Sequence, residues 1–237
     1  MKSPAIVTVL LVLSATLTTP SFASLTLHAT IGQNIQVVFD FEDIDSALYN
    51  QTKQQDIFGV STIPETIKAD LEERNLENVD CVYDPTQEIF EDSTKSIHIE
   101  FALIGLDIIQ VVVDNTTRNK VSTIRTDWRR FQVNLTSEYV LDFTEYFGIP
   151  LREWEFHNQT SPASFYFNRT DSLEFDAICS FTLPNNAINP RVAEDWDTII
   201  FELPPSLGES LLNSPFSILI AIVLVNVIAV IYRRIRK

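Results

Sequence analysis

Apolar and polar residues alternate along most of the chain, which is the signature of half-buried β-strands. Leu25, Leu27, Ala29 and Ile31 alternate with polar neighbours, and the pattern resumes at Ile35, Val37, Phe39 and Phe41 after "IGQN". The Gly32 segment therefore predicts a hairpin turn. Over residues 62–76, "TIPETIKADLEERNL", the period changes, and Ile63, Ile67 and Leu71 fall on one narrow helical stripe. Thr62 and Pro64 mark the start of that helix, and Asp70 and Arg74 stand one turn apart, spaced to pair.

A meander follows. Ile97, Ile99, Phe101 and Leu103 form a strand that Gly105 turns into "DIIQVVV", and "DNTTRN" turns that into "KVSTIR". Strand character continues from Phe131 to Phe143 and gives way to an aromatic-rich irregular stretch ending at Phe156. "SFYFNRT" and "SLEFDAICSFTLP" read as a hairpin, and "DTIIFELP" as the last strand. The fold class expected is α+β, predominantly antiparallel β with one main helix, plus a C-terminal transmembrane helix.

Two segments break the alternation. Met1-Lys2, the apolar run from Ala5 to Leu17 and the small residues Ser21 and Ala23 read as a secretory signal cleaved after Ala23. Phe216 to Tyr232 carries no charge and is interrupted by Asn226. As a helix that run spans roughly 26 Å, close to a bilayer core of about 30 Å. Arg233, Arg234, Arg236 and Lys237 follow it, and cations stay on the cytoplasmic side. The organisation expected is a signal peptide (1–23), an extracytoplasmic β-rich domain (24–202), a juxtamembrane stalk (203–214), a membrane helix (215–232) and a basic cytoplasmic tail (233–237).

Charge sharpens this picture. All 32 acidic residues lie between Ser24 and Ser214, so the exported part carries a net charge of −20. Such a surface repels nucleic acid, which excludes that class of partner. The two cysteines, Cys81 and Cys179, sit on the apolar faces of their strand patterns, and in an exported chain they predict a disulfide. A bridge closing a loop of that length contributes about 4 to 5 kcal/mol in the chain-entropy picture. Five N-x-[S/T] sequons, at Asn50, Asn115, Asn134, Asn158 and Asn168, predict N-glycosylation. Asn115 and Asn168 fall in expected turns and Asn134 in strand pattern.

Candidate chemistry is sparse. "FDFEDID" lacks the spacing and glycine of a calcium loop and reads as an acidic turn. His98 and Glu100 offer two ligands on one face without a third, so no metal and no cofactor is expected. Nucleophile elbows, zinc-protease and phosphate-loop motifs are missing, and no catalytic residue is assigned. The aromatic group Trp128, Phe131, Tyr146, Phe147, Trp154 and Phe156 reads as core rather than as a groove. The reading is a single-pass surface protein whose ectodomain is a non-enzymatic binding or structural module. Its partners are the membrane, through the C-terminal helix, and a protein at the membrane surface. The glycan-free, membrane-proximal stretch nominates Trp196, Ile200 and Leu207 as the interface. The alternatives are a membrane-tethered hydrolase of glycans or peptides, and an accessory subunit docking through its helix at Asn226.

Overall fold

The computed structural model describes residues 23–56, 59–134, 140–158, 161–171, 175–212 and 216–235. Strands β1 (Ala23–Ile31) and β2 (Ile35–Glu42) form the expected hairpin around Gly32, with Ile31 opposite Ile35. Helices α1 (Ser46–Gln55) and α2 (Ile63–Glu73) follow. Next come β3 (Asp80–Tyr83), β4 (Phe90–Glu91), β5 (Ser96–Ile104), β6 (Ile109–Val113) and β7 (Lys120–Arg125). The short hairpin β8 (Gln132–Asn134) and β9 (Val140–Asp142) leads into α3 (Phe143–Phe147). Then follow β10 (Glu155–His157), β11 (Ser164–Arg169), β12 (Phe175–Thr182), β13 (Ile188–Val192) and β14 (Thr198–Leu203). Helices α4 (Leu207–Leu212) and α5 (Phe216–Ile235) come after them.

The fold is mixed α and β with mostly antiparallel sheets and few helices. The large sheet runs β10-β11-β12-β1-β2-β5-β3, with β4 also on β5. Its pairings are antiparallel except for β1 with β12, which are parallel. A second sheet runs β13-β14-β7-β6. Alternation makes the large sheet one-faced: Leu25, Leu27, Val37, Phe39, Ile99, Ala177 and Phe181 are buried on one side. Against that face pack the stripe of α2 (Ile63, Ile67, Leu71), Phe143 and Phe147 of α3, and Ile124, Ile199 and Phe201 of the second sheet, in one continuous core. Trp128, Phe131, Tyr146, Phe147 and Trp154 belong to this core, and Phe156 is exposed.

Three features depart from the sequence reading. Helix α1 follows directly on the acidic turn, in a stretch to which no element was assigned: Asp45 accepts from the Ala47 and Leu48 amides at 2.8 and 3.3 Å and caps it. The stretch expected as a stalk contains a helix, α4. Ser206 and Glu209 make a reciprocal capping box there, with the Ser206 amide donating to Glu209 Oε2 at 2.9 Å and the Glu209 amide to Ser206 Oγ at 3.2 Å.

The third change is the disulfide. Both thiols face the core side, but Cys81 and Cys179 are free. Cys81 pairs with Leu103 across β3–β5, while Cys179 pairs with Leu27 across β12–β1. Three strands, β1, β2 and β5, lie between them. Four strand spacings amount to roughly 19 Å, against a Cα separation below about 7 Å for a bridge. Sharing a face is not the same as sharing a neighbourhood.

Helix α5 covers most of the expected membrane segment. Among the described residues, no helix is long and apolar enough to cross a membrane. The side chains described in α5 include Ile222, Val223, Leu224, Val225, Val227 and Ile228, all exposed. Asn226 donates from Nδ2 to the Ile222 carbonyl at 2.7 Å, within the helix itself. The signal-peptide segment before Ala23 lies outside the described residues. Cleavage after Ala23 would remove the first residue of β1, which pairs with Phe175.

Candidate functional site

A cleft of about 380 Å³ opens on the outward face of the second sheet. Strand register builds it: Gln110 stands opposite Thr123, and Thr198 opposite Arg125. Their chain neighbours Ile109, Ile124 and Ile199 point into the core, so these residues point out. Asp107, Asp127, Asp195 and Asp197 complete the walls. Four aspartates and one arginine give the cleft an acidic character.

Two of these carboxylates are tied to arginines. Arg125 grips Asp127 with both ends of its fork, Nε to Oδ1 at 2.7 Å and Nη2 to Oδ2 at 2.8 Å. Arg74 reaches from the end of α2 to Asp127 Oδ2 at 3.0 Å and also pairs with Asp70. Burial pushes the Asp127 carboxyl up, but Arg125 and Arg74 outweigh it and hold it below the usual carboxylate range. Asp70 goes the other way: its burial exceeds the pull of Arg74, and its carboxyl is raised.

Beneath the cleft lies Arg129, fully buried. It donates to the carbonyls of Phe147 (2.8 Å), Thr126 (3.0 Å) and Ile149 (3.1 Å), to Thr126 Oγ1 (2.9 Å) and to Asp197 Oδ1 (2.8 Å). Its guanidinium also lies 5.5 Å from the centre of the Trp154 ring. Arg130 donates to the same Asp197 oxygen at 2.7 Å. Asp195 accepts from Thr198 Oγ1 at 2.6 Å and from the Asp197 amide at 3.1 Å, and Asp107 accepts from the Asn78 amide at 2.9 Å. The floor is thus a set of fixed ion pairs, and the open capacity of the cleft is for accepting hydrogen bonds from a donor or cation. Among the described residues no group of His, Cys, Asp and Glu could hold a metal ion.

The three expected interface residues separate. Trp196 stands between the cleft residues Asp195 and Asp197, is 36% exposed, and carries the Arg152 guanidinium 3.7 Å over its ring. Ile200 faces outward beside the cleft, opposite Thr123. Leu207 opens α4 beyond the far end of β14, and its side chain lies outside the described residues. His98, which with Glu100 offered only two ligands on one face, meets Asp40 instead, Nδ1 to Oδ1 at 2.5 Å. All five sequon asparagines, Asn50, Asn115, Asn134, Asn158 and Asn168, are exposed. Asn115 lies in the β6–β7 turn as expected, whereas Asn168 lies within β11 and Asn50 within α1.

Of the arginine network, sequence reasoning found only the Asp70–Arg74 pair. The run "TDWRR" offered a signal for the rest, since one carboxylate and two guanidiniums beside Trp128 cannot all face solvent in a short turn. Comparison with protein-family models, with curated proteins and with solved structures finds no match to this chain.

Proposed function

We propose that this chain is a single-pass, membrane-anchored surface protein whose acidic, N-glycosylated ectodomain binds a protein partner without catalysis. The observation that carries this reading is α5, a helix of 20 residues whose described apolar side chains cover no core and stand exposed. A bilayer is the medium that removes such a surface from water, and the cations after Tyr232 orient it. The partner site in this reading is the acidic cleft with Trp196 and Ile200 on its flank. A rigid wall of aspartates beside an aromatic side chain suits a basic side chain presented by a partner. Binding is favoured over hydrolysis, because Asp127 and Asp197 are committed to arginines, and Asp127, held below its usual range, is the wrong starting point for a general acid. Docking through Asn226 is the weaker reading, because one of its two amide donors is already given to the Ile222 carbonyl within the helix.

Two measurements on native membranes test the anchor and its orientation. After an alkaline carbonate wash the chain should stay in the pellet; recovery in the supernatant would overturn the anchor. With a tag after Lys237, protease applied to intact cells should digest the ectodomain and spare the tag. A tag cut from outside would overturn the orientation.

A further inference from the structure

We propose that the β6–β7 hairpin is a second lipid contact, lying against the headgroup region of the bilayer in which α5 is anchored; the inference rests on that anchoring. Strand β6 ends the second sheet, so among the described residues its outer edge is unpaired. Its last three residues, Val111, Val112 and Val113, are 53%, 66% and 48% exposed. Successive strand residues point to opposite faces, so both faces of the hairpin end are apolar.

The chain path puts this end beside α5. Val113, Lys120 and Leu203 lie in register across β6, β7 and β14, and Leu203 is the last residue of β14. Helix α4 then returns to the hairpin: Lys120 Nζ meets Glu209 Oε1 at 2.8 Å. From Glu209 to Phe216 the chain reaches at most about 25 Å even when fully extended. The turn end of the hairpin is therefore tied, through α4, to within that reach of where α5 begins.

Charge at the tip fits a lipid surface. Asp114 folds onto the turn itself and accepts from the Thr116 and Thr117 amides at 2.6 and 3.2 Å. Arg118 is exposed, and among the described residues no carboxylate pairs with it. An exposed cation at the tip of a hairpin whose β6 strand exposes three valines, on a domain otherwise strongly acidic, matches phosphate above acyl chains. A second copy pairing edge to edge is disfavoured by direction. Strand β6 runs toward the anchored end, so the β6 of a neighbour in the same membrane runs that way too and cannot pair with it antiparallel. An extended segment of a different protein added to this edge is the competing occupant.

The test uses the full chain in phosphatidylcholine nanodiscs, in a Cys81→Ser background. An environment-sensitive fluorophore is placed in turn at Val112→Cys, at Val225→Cys in α5 and at Val82→Cys on β3, which is exposed on the other sheet. Brominated lipids should quench the Val112 and Val225 probes at least twofold and leave the Val82 probe unchanged. Quenching at Val225 without quenching at Val112 overturns the hairpin contact and leaves the anchor standing. Loss of quenching at both overturns the anchor and the contact together. Site-by-site mass spectrometry of the native protein gives a second readout: Asn115 should carry no glycan, and full occupancy there would hold the tip off the lipid and overturn the proposal. Protection of the Val112 probe that requires a co-purified protein would assign the edge to a partner strand instead.

Discussion

Arg129 and Asp197 meet at 2.8 Å with the guanidinium wholly removed from solvent. The pair joins the turn after β7 to the turn before β14, and through Phe147 and Ile149 it also fixes the segment after α3. A buried cation with five acceptors costs little when all are present and much when its carboxylate is removed. Asp197→Ala should therefore destabilise the full chain in detergent by about 3 kcal/mol, and Asp197→Asn, which keeps one acceptor oxygen, by about 1–2 kcal/mol. Arg129→Met should not be the neutral swap that an apolar replacement of an ion pair often is, because three carbonyls would lose their donor. Denaturant melts decide this, and an Asp197→Ala variant within about 0.5 kcal/mol of the parent would show that the pair does not hold the fold.

Cys81 and Cys179 should remain thiols in the exported protein. Burial, then the Asp80 charge, pushes the Cys81 thiol up to about 12, and burial raises Cys179 as well. Native protein at neutral pH should thus alkylate slowly at both sites, while unfolded, unreduced protein should take up two equivalents of maleimide. A Cys81–Cys179 linked peptide in non-reducing maps would require a strand order different from the one described.

That failed pairing separates what a single sequence reveals from what it hides. Facing is local: period two put Leu27, Phe39, Ile99 and Cys179 on the buried side, and period 3.6 put Ile63, Ile67 and Leu71 there. Gly105 was legible for a steric reason, since its φ is +144° and a side chain would strike the Asn78 carbonyl. Strand order is not local. Residues far apart in the chain meet at the parallel β1–β12 pair, and no periodicity announces that. Helix α1 was hidden because it buries little apolar surface, essentially Tyr49, and hydrophobic pattern is weak where burial is weak. Its cap, Asp45, was visible as one of several acidic residues and could not be told from them. Arg129 was hidden because an arginine in sequence reads as surface.

The α4 latch should respond to acid. The Lys120 ammonium, then the Ser206 amide and hydroxyl, holds the Glu209 carboxyl down at about 2 against an ordinary 4.5. A carboxyl depressed in the folded state contributes stability above its unfolded value and loses it as pH falls through the folded one. Amide exchange in residues 207–212 should therefore be constant above about pH 5, after correction for intrinsic rates, and quicken progressively from pH 4.5 toward 2. Glu209→Gln should show the faster exchange already at neutral pH. Exchange in α4 that is the same in parent and variant would mean that the stalk is not latched.

Trp196 and Ile200 should contribute to partner binding and Leu207 should not. The first two flank the acidic cleft, and Leu207 lies past the opposite end of β14, beyond a strand of six residues. Interface energy concentrates in a few aromatic anchors with a complementary rim, so Trp196→Ala should weaken co-purification of a partner from native membranes at least tenfold. Ile200→Asp adds a charge to a half-buried strand position and should weaken it comparably, with a melting curve to confirm that β14 stays folded. Leu207→Asp should leave binding intact. Asp195→Asn distinguishes the electrostatic part: it keeps the shape of the cleft and removes one negative charge, so a basic partner should bind more weakly and with a shallower salt dependence. If Trp196→Ala and Asp195→Asn both bind like the parent while Leu207→Asp does not, the contact lies on the stalk and the cleft is only the outer surface of the arginine network.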